Sequence, residues 1–162
     1  MVQIFIVYGG PQGEEIGRAV QVYFKGNDIG AFLASPKSPD TDPSENFQAR
    51  IDKELKTANL AVIIVTNGIS SSRPALAEID RIINKLNYPR IPFVMKGATP
   101  PSQLQGMRYV FFDHNPPTES ELVELELRMW RHYDRWQQTS QVKQVSEGEN
   151  VEPKLASGLG SE

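Results

Sequence analysis

The sequence has no cysteine, which excludes disulfides, thiolate metal sites and a thiol nucleophile. From this absence we expect a reducing, cytoplasmic environment. No apolar run approaches the roughly 18 residues that a membrane span requires, so no membrane partner is predicted. The opening apolar run over residues 2–8 has no basic residue before it, and it therefore predicts a first strand rather than a signal peptide.

A strong excess of charge of one sign is also absent. The formal net charge is −3 and the pI is near 5.5, whereas a nucleic-acid partner would require a clustered basic face. His114 and His132 have no second ligand at metal-binding spacing. The stretch Gly9–Gly13 has neither the Gly-Lys-Ser/Thr ending of a phosphate loop nor the GxGxxG spacing of dinucleotide folds. No nucleic acid, metal or cofactor is therefore expected.

Apolar runs alternate with amphipathic helical patterns along most of the chain. Strands are predicted over residues 2–8, 29–35, 60–66, 91–95 and 109–112, and helices over about 14–26, 47–58, 74–86 and 119–136. Such alternation implies a mostly parallel sheet with helices on both faces. We predict an α/β fold of the flavodoxin-like type, a three-layer sandwich around a five-stranded parallel sheet of order 2-1-3-4-5.

The composition changes beyond Gln137. Residues 138–162 contain no aromatic residue and only scattered Val and Leu among Gln, Ser, Glu and Gly. Such a segment buries too little apolar surface to offset the entropy of ordering it. We therefore predict one ordered domain over residues 1–136 and a disordered C-terminal tail over residues 137–162.

The segment Asn67–Asp80 is the most informative part of the sequence. It follows the unbroken apolar run Leu60–Thr66, which is typical of a strand buried on both faces of a parallel sheet. It leads into a helix opened by Pro74. In the predicted strand order the loops after strands 1 and 3 meet at the switch point, where open α/β sheets bind ligands. The loops Gly9–Gly13 and Asn67–Arg73 should therefore share one crevice.

Glu78 lies just over one turn into the helix that follows this loop. At about 100° per residue it lies roughly 90° from the centre of the apolar face, neither in the core nor on the far solvent face to which Arg81 is assigned. A carboxylate there can lean over the crevice, and the irregular loop over residues 36–44 could close over it. Taken alone, an exposed helix glutamate is the better interpretation, and the preceding serines suit helix N-caps. Only the crevice makes Glu78 a candidate.

Three features carry a family resemblance: the apolar run Ile4–Tyr8, the run Leu60–Thr66, and the Ser72-x-Pro-x-x-x-Glu78 motif that follows it. Together with the order of elements, they resemble a Toll/interleukin-1 receptor (TIR) domain over about residues 1–136. The sequence departs from the family at Pro74, where tryptophan is usual, and in the first loop, where Ser-Tyr/Phe-Ser is common. The loop after strand 2 also lacks the usual Arg-Asp-x-x-Pro-Gly pattern.

The resemblance implies a reaction, because many TIR domains cleave NAD⁺ between nicotinamide and ribose. The protein would be a hydrolase, an NAD⁺ glycohydrolase (NAD⁺ nucleosidase), with Glu78 as the catalytic residue. A single carboxylate suits this chemistry. The nicotinamide of NAD⁺ is cationic and leaves as a neutral molecule without a general acid, so what remains is to stabilise the developing oxocarbenium ion. NAD⁺ would then be a substrate and not a cofactor.

The resemblance also assigns substrate-binding positions in the two loops. Some would line the adenosine or ribose side: Tyr8, Gly9 and Gly10. Others would hold hydroxyl or phosphate groups: Ser71, Ser72 and Arg73. Because TIR domains generally work as assemblies, the resemblance further implies self-association, or association with another TIR-like or sensor protein, in defence signalling.

Two other function classes remain open from the sequence. Nucleoside 2-deoxyribosyltransferases have a similar sheet with a glutamate near the same place, and they also cleave an N-glycosidic bond. Their leaving base usually needs a proton, and no second acid is obvious in the crevice. The departures at Pro74 and in the first loop favour the other class, a non-catalytic TIR-like interaction module.

Overall fold

The computed structural model describes residues 2–35 and 46–151, with side chains as far as residue 139. The strands are β1 (Gln3–Val7), β2 (Gly30–Leu33), β3 (Leu60–Val65), β4 (Arg90–Met95) and β5 (Val110–Phe112). The helices are α1 (Gly10–Gly26), α2 (Phe47–Thr57), α3 (Arg73–Asp80) and α4 (Glu119–Val151), with short 3₁₀ helices at Ile69–Ser71 and Ser102–Leu104. Strands and helices alternate in the predicted order.

The strands form one parallel sheet of order β2-β1-β3-β4-β5. This confirms the predicted strand order. The central strand is β3, in which Leu60 pairs with Ile4 of β1 and Val62 pairs with Ile91 of β4. Every residue of β3 is buried, as expected for a parallel strand covered on both faces.

Alternate side chains of β3 enter two separate apolar cores, one on each face of the sheet. The first core contains Leu60, Val62 and Ile64 with residues of α1 and α4, and the second contains Ala61, Ile63 and Val65 with residues of α2 and α3. Two helical layers therefore enclose the sheet. This is the predicted three-layer sandwich.

Helix α1 begins earlier than predicted. Gly9 is its N-cap, and no side chain caps the helix. Gly10 has a φ of +81°, in the region that favours glycine, and Pro11 supplies the φ of the first turn. Because this pair starts the helix directly after β1, the predicted loop Gly9–Gly13 is mostly the first turn of α1.

Helix α3 continues into a π-helical segment, Arg81–Leu86. The segment ends at Asn87, whose left-handed φ of 51° stops the helix. A π-helical turn bonds i to i+5 and is wider than an α-helical turn. Side chains after Asp80 therefore project in directions that differ from those of the ideal α-helix predicted over residues 74–86.

Helix α4 runs to Val151, well past the end predicted at Trp136. The predicted end of this helix is therefore wrong; the disorder of the tail stays a prediction, and residues 152–162 lie outside the described residues. The physical reason is that low hydrophobicity does not end a helix that has already formed. Residues 137–152 contain no proline, and Gln, Lys and Glu are good helix formers.

Two properties of the described residues bear on membranes and metals. None of the helices in this part of the chain combines the length and apolar character of a membrane span. Within the same ranges, no three His, Asp or Glu side chains lie close enough together to hold a metal ion.

Candidate functional site

The loops that follow β1 and β3 touch at the carboxyl edge of the sheet. Gly9 is buried between them, and a Cβ at this position would lie 2.8 Å from both the Cα of Ile69 and the Cβ of Ser72. Across the contact, a Cβ on Gly68 would lie 3.2 Å from the Gly9 carbonyl oxygen. Close approach of two backbones is a reason for glycine. The structure thus brings together the two loops that the strand order predicted to meet.

A cleft of about 580 Å³ opens beside this contact. Its walls are the ends of β1 and β2, the first turns of α2, and α3. The described residues that line it are Tyr8, Gly10, Ala34, Phe47, Gln48, Ile51, Ser72, Pro74, Ala75, Ala77, Glu78 and Arg81. The volume is typical of small-molecule sites. The loop predicted to close over the crevice, residues 36–44, lies outside the described residues.

Glu78 lines this cleft from α3 and is half-buried. Among the residues that the structure describes, none forms a hydrogen bond or an ion pair with its carboxylate. Burial raises the pKa of Glu78 to about 7, and the positive charge of Arg81 opposes this rise. A partly buried carboxylate normally has partners. An unpartnered one whose pKa is near neutrality, in a cleft, is a functional candidate.

Arg81 follows Glu78 by about one turn and also lines the cleft. Its Nη1 donates a hydrogen bond to Oδ1 of Asp52 on α2 at 2.9 Å, which lowers the pKa of Asp52. The prediction that Arg81 projects to the far solvent face is wrong. Helix α2 packs beside α3 on that side, and the helix changes to π geometry at this residue.

Tyr8 forms the wall between β1 and β2. Its hydroxyl donates to the carbonyl oxygen of Ala34 at 2.6 Å, so the ring is tied to the end of the neighbouring strand. Burial and the nearby Glu14 carboxylate raise the pKa of Tyr8. Glu14 itself binds Arg18 at 2.9 Å and accepts a hydrogen bond from the Ser35 hydroxyl. The phenol therefore stays neutral at physiological pH and serves as a fixed wall.

The positions assigned to substrate binding fall into two groups. Those that line the cleft are Tyr8, Gly10 and Ser72. Those that do not are Gly9, Ser71 and Arg73. Gly9 is buried in the loop contact, whereas Ser71 and Arg73 are exposed at the approach to α3. Ser72 caps α3, because its Oγ accepts from the Ala75 N–H at 3.3 Å.

One wall of the cleft was not predicted as part of the site. Phe47, Gln48 and Ile51 line the cleft from the start of α2. In the sequence, Phe47 and Ile51 belong to the apolar stripe of a helix, a pattern that indicates core packing. A different signal could have identified them. A helix that follows a parallel strand begins at the carboxyl edge of the sheet, so its first turns lie beside the ligand site.

The charged groups of the cleft limit its chemistry. Of the described residues that line it, only Glu78 and Arg81 are ionisable at physiological pH. One carboxylate in a partly apolar cleft can stabilise a developing cation, or exchange a proton near pH 7. An arginine held by a partner can bind an anionic or hydroxyl oxygen.

The chain matches no protein-family model and no curated protein sequence. Its structure is similar to the TIR domain of the Toll-related receptor TRR-2 from Hydra magnipapillata, with a TM-score of 0.58 and 15% identity over 83% of this chain and 97% of the other. It is also similar to the TIR domains of the activated Roq1 resistosome, which recognises the pathogen effector XopQ, with a TM-score of 0.51 and 14% identity over 59% of this chain and 58% of the other. The chain therefore has the fold of TIR domains.

Proposed function

We propose that this chain, which has the fold of TIR domains, is an NAD⁺ glycohydrolase that cleaves the bond between nicotinamide and ribose. Glu78 would be its catalytic carboxylate. One observation carries the proposal. Glu78 is half-buried in a cleft of about 580 Å³ and has no partner among the described residues. The cleft lies at the carboxyl edge of the sheet, where open α/β sheets bind ligands.

The reaction needs little from the protein besides this carboxylate. The bond between C1′ of the ribose and the nicotinamide nitrogen breaks, and its electron pair goes to that nitrogen, so nicotinamide leaves neutral. The ribose carries the positive charge as an oxocarbenium ion, which an adjacent Glu78 carboxylate would stabilise. Water then attacks C1′, and the proton it loses passes to Glu78 or to solvent. The products are nicotinamide, ADP-ribose and one proton.

The pKa of Glu78 near 7 in the free protein is compatible with this role. At that pKa about half of the carboxylates are ionised at pH 7. The cationic nicotinamide ring of bound NAD⁺ would favour the ionised form and so lower the pKa of Glu78 from this raised value. The substrate would thereby generate the negative charge that its own cleavage requires.

The remaining cleft residues suit a nucleotide-like substrate. Tyr8 and Phe47 provide aromatic and apolar surface, and Gly10 permits close approach to the backbone. Ser72 accepts a hydrogen bond as a cap, and its hydroxyl proton can still be donated to a substrate oxygen. Arg81, held by Asp52, would bind a phosphate or a ribose hydroxyl.

The other assigned positions would act less directly. Ser71 and Arg73 are exposed and do not line the cleft, so they would reach a phosphate group only from the rim. Gly9 would act through the loop contact that it permits. Self-association, or association with another TIR-like or sensor protein in defence signalling, would bring the domain to its active state.

The test is release of nicotinamide from NAD⁺, measured by chromatography at high protein concentration or with the domain clustered on a scaffold. The wild type should release nicotinamide, and Glu78→Gln should be slower by about 10²–10³, because one electrostatic group is lost at the reacting centre. The matched control is Glu119→Gln, an exposed glutamate in the first turn of α4, which should keep full activity. Equal rates for wild type and Glu78→Gln would show that Glu78 has no catalytic role.

A second candidate activity is favoured by the same pKa. Near pH 7 a share of the Glu78 side chains is protonated, and a protonated carboxyl can donate to a neutral leaving base. A nucleoside 2-deoxyribosyltransferase-like reaction would therefore be tested in parallel, by supplying deoxynucleosides and measuring the released base. Release of base from deoxynucleosides but not from NAD⁺ would favour this candidate. If neither substrate is cleaved by clustered protein, the non-catalytic interaction module becomes the better hypothesis.

A further inference from the structure

A second cavity, of about 590 Å³, lies at the amino edge of the sheet, opposite the edge that carries the cleft. It is bounded by the starts of β4 and β5 and by residues 128–136 of α4. Five of the nine arginines of the sequence line it: Arg90, Arg108, Arg128, Arg131 and Arg135. No Asp or Glu is found among the described residues of its lining. We call this cavity the arginine groove.

The arginines converge from separate parts of the chain. Arg128, Arg131 and Arg135 are spaced i, i+3, i+7 and therefore lie on one side of α4. Arg90 begins β4, and Arg108 lies two residues before the start of β5. The fold thus adds Arg90 and Arg108, from distant parts of the sequence, to the side of α4 that carries the other three arginines.

Much of this positive charge is not neutralised within the groove. Arg128 pairs with Glu124 at 2.7 Å, and Arg90 donates to the side chain of Asn87 and to the carbonyl oxygen of Tyr88. The guanidinium groups of the other three form no hydrogen bond or ion pair with any residue whose side chain the structure describes: Arg108, Arg131 and Arg135. The groove can therefore offer three arginines to a ligand.

The positive charges of the groove act on His132, which is one of its lining residues. Its pKa is lowered by burial and by the charges of Arg135 and Arg90, and burial also lowers the pKa of Arg90. Like charges held this close repel one another, and the repulsion is relieved when an anion lies between them. The overall charge of the chain is −3, so the groove is a local exception and not part of a generally basic surface.

The groove combines its charges with apolar and aromatic surface. Ile91 and Val110 are buried, and Met107 and Trp136 are half-buried in its lining. Arginine presents a planar fork that binds two oxygens of one phosphate, whereas lysine binds as a point charge, and the groove contains no lysine among its described residues. An indole ring provides a face on which a base can stack.

We propose that the arginine groove binds a nucleoside di- or triphosphate, with the phosphates on Arg108, Arg131 and Arg135 and the base against Trp136. The volume of about 590 Å³ suits one such ligand. A nucleic-acid strand would need a basic surface that extends well beyond one cavity. This site is separate from the cleft that contains Glu78, and the proposal does not depend on the activity of that cleft.

The test uses the intrinsic fluorescence of Trp136, which lines the groove. The chain has two tryptophans, so Trp130→Phe leaves Trp136 as the only one, and ligands in the distant cleft do not contact it. Titration of this variant with ADP at low salt should give a saturable change in emission. Adding Arg131→Gln or Arg108→Gln should weaken ADP binding about tenfold or more, because a charge-assisted hydrogen bond is lost. Lys53→Gln, which removes one charge from exposed α2, is the matched control and should bind ADP as before.

Comparing ADP with related ligands shows which parts of the nucleotide the groove recognises. ADP should bind more tightly than pyrophosphate, which lacks the base, and more tightly than adenosine, which lacks the phosphates. Equal affinity for pyrophosphate and ADP would overturn the assignment of a nucleotide. Tighter binding of a single-stranded oligonucleotide or of an acidic peptide would also overturn it. So would unchanged ADP affinity in both arginine variants, provided that circular dichroism shows them folded.

Discussion

Arg81 and Asp52 join the two helices that enclose the cleft, since Nη1 of Arg81 donates to Oδ1 of Asp52 at 2.9 Å. The pair ties α3 to α2 beside Glu78. The guanidinium of Arg81 forms a bond to Asp52 and none to Glu78, so it acts on Glu78 through its charge, which opposes the rise in pKa caused by burial. The ion pair therefore links the two helices and keeps a positive charge near the Glu78 carboxylate, whose pKa is set mainly by burial.

Asp52→Asn should release Arg81 and lower the pKa of Glu78. A freed guanidinium can approach the carboxylate of Glu78, and an opposite charge nearby favours the ionised form. The titration of the Glu78 carboxyl carbon, followed by NMR, should move to lower pH. The stability should change little, because both partners of the pair are partly exposed. Asp80→Asn, on the exposed surface of α3, is the control, and a Glu78 titration that stays the same or moves upward would contradict the prediction.

Glu78 should make the stability of the fold depend on pH. Its pKa in the folded protein, about 7, is above the ordinary value of 4.5, so the folded state binds the proton more tightly than the unfolded state. The resulting stabilisation is fully present below about pH 4.5 and is lost as the pH rises through 7. Glu78→Gln removes this dependence and should be more stable than the wild type at pH 8, by an amount on the order of 2 kcal/mol. Urea unfolding at pH 5 and pH 8 measures the difference, which should shrink at the lower pH; an equal difference at both would be inconsistent with a raised pKa.

Gly9→Ala should destabilise the protein by about 1–3 kcal/mol. Its new Cβ would lie 2.8 Å from the backbone of Ile69 and from the Cβ of Ser72, and a backbone atom cannot move aside as the end of a long side chain can. Gly26→Ala is the matched control. A Cβ on Gly26 meets nothing within 4 Å, so this substitution should be neutral or stabilising by up to about 1 kcal/mol. Equal stabilities of the two variants in chemical denaturation would show that the loops can separate at no cost.

Removal of residues 140–162 should leave thermal stability almost unchanged. Among the described residues of α4, those that pack on the core end at Tyr133, and residues 137–139 are exposed. Because the last described side chains are exposed, we expect the helix beyond them to bury little surface, so the melting temperature should move by no more than about 3 °C. Calorimetry of the truncated and full chains measures this shift. A drop of many degrees would mean that the removed segment packs against the domain.

The sequence was sufficient for the fold because its signals are local and regular. The unbroken run Leu60–Thr66 has the pattern of a strand covered on both faces, and alternation with helices leaves few possible sheets. The loop contact at Gly9 followed from the strand order alone. The same reasoning placed Glu78 on the border of the cleft, because a periodic helix fixes the angle between one residue and the apolar face.

The errors concern features that a periodic pattern does not contain. The direction of Arg81 depends on a π-helical segment and on a partner in α2, and neither is visible in the spacing of apolar residues. Phe47 belongs both to the apolar stripe of α2 and to the wall of the cleft, and the pattern shows only the first. The extension of α4 to Val151 depends on the propagation of a helix that is already formed. The arginine groove arises from three distant segments that only the fold brings together.

The close contact between Gly9 and Gly68 makes the two sides of the cleft unequal in their tolerance of mutation. On the loop side the backbone itself sets the shape, and a side chain added there would force the loops apart. On the α2 side the shape is set by side chains such as the exposed Gln48, whose replacement has little effect on folding. We therefore expect related sequences to change their ligand preference by substitutions in α2, while both glycines are retained.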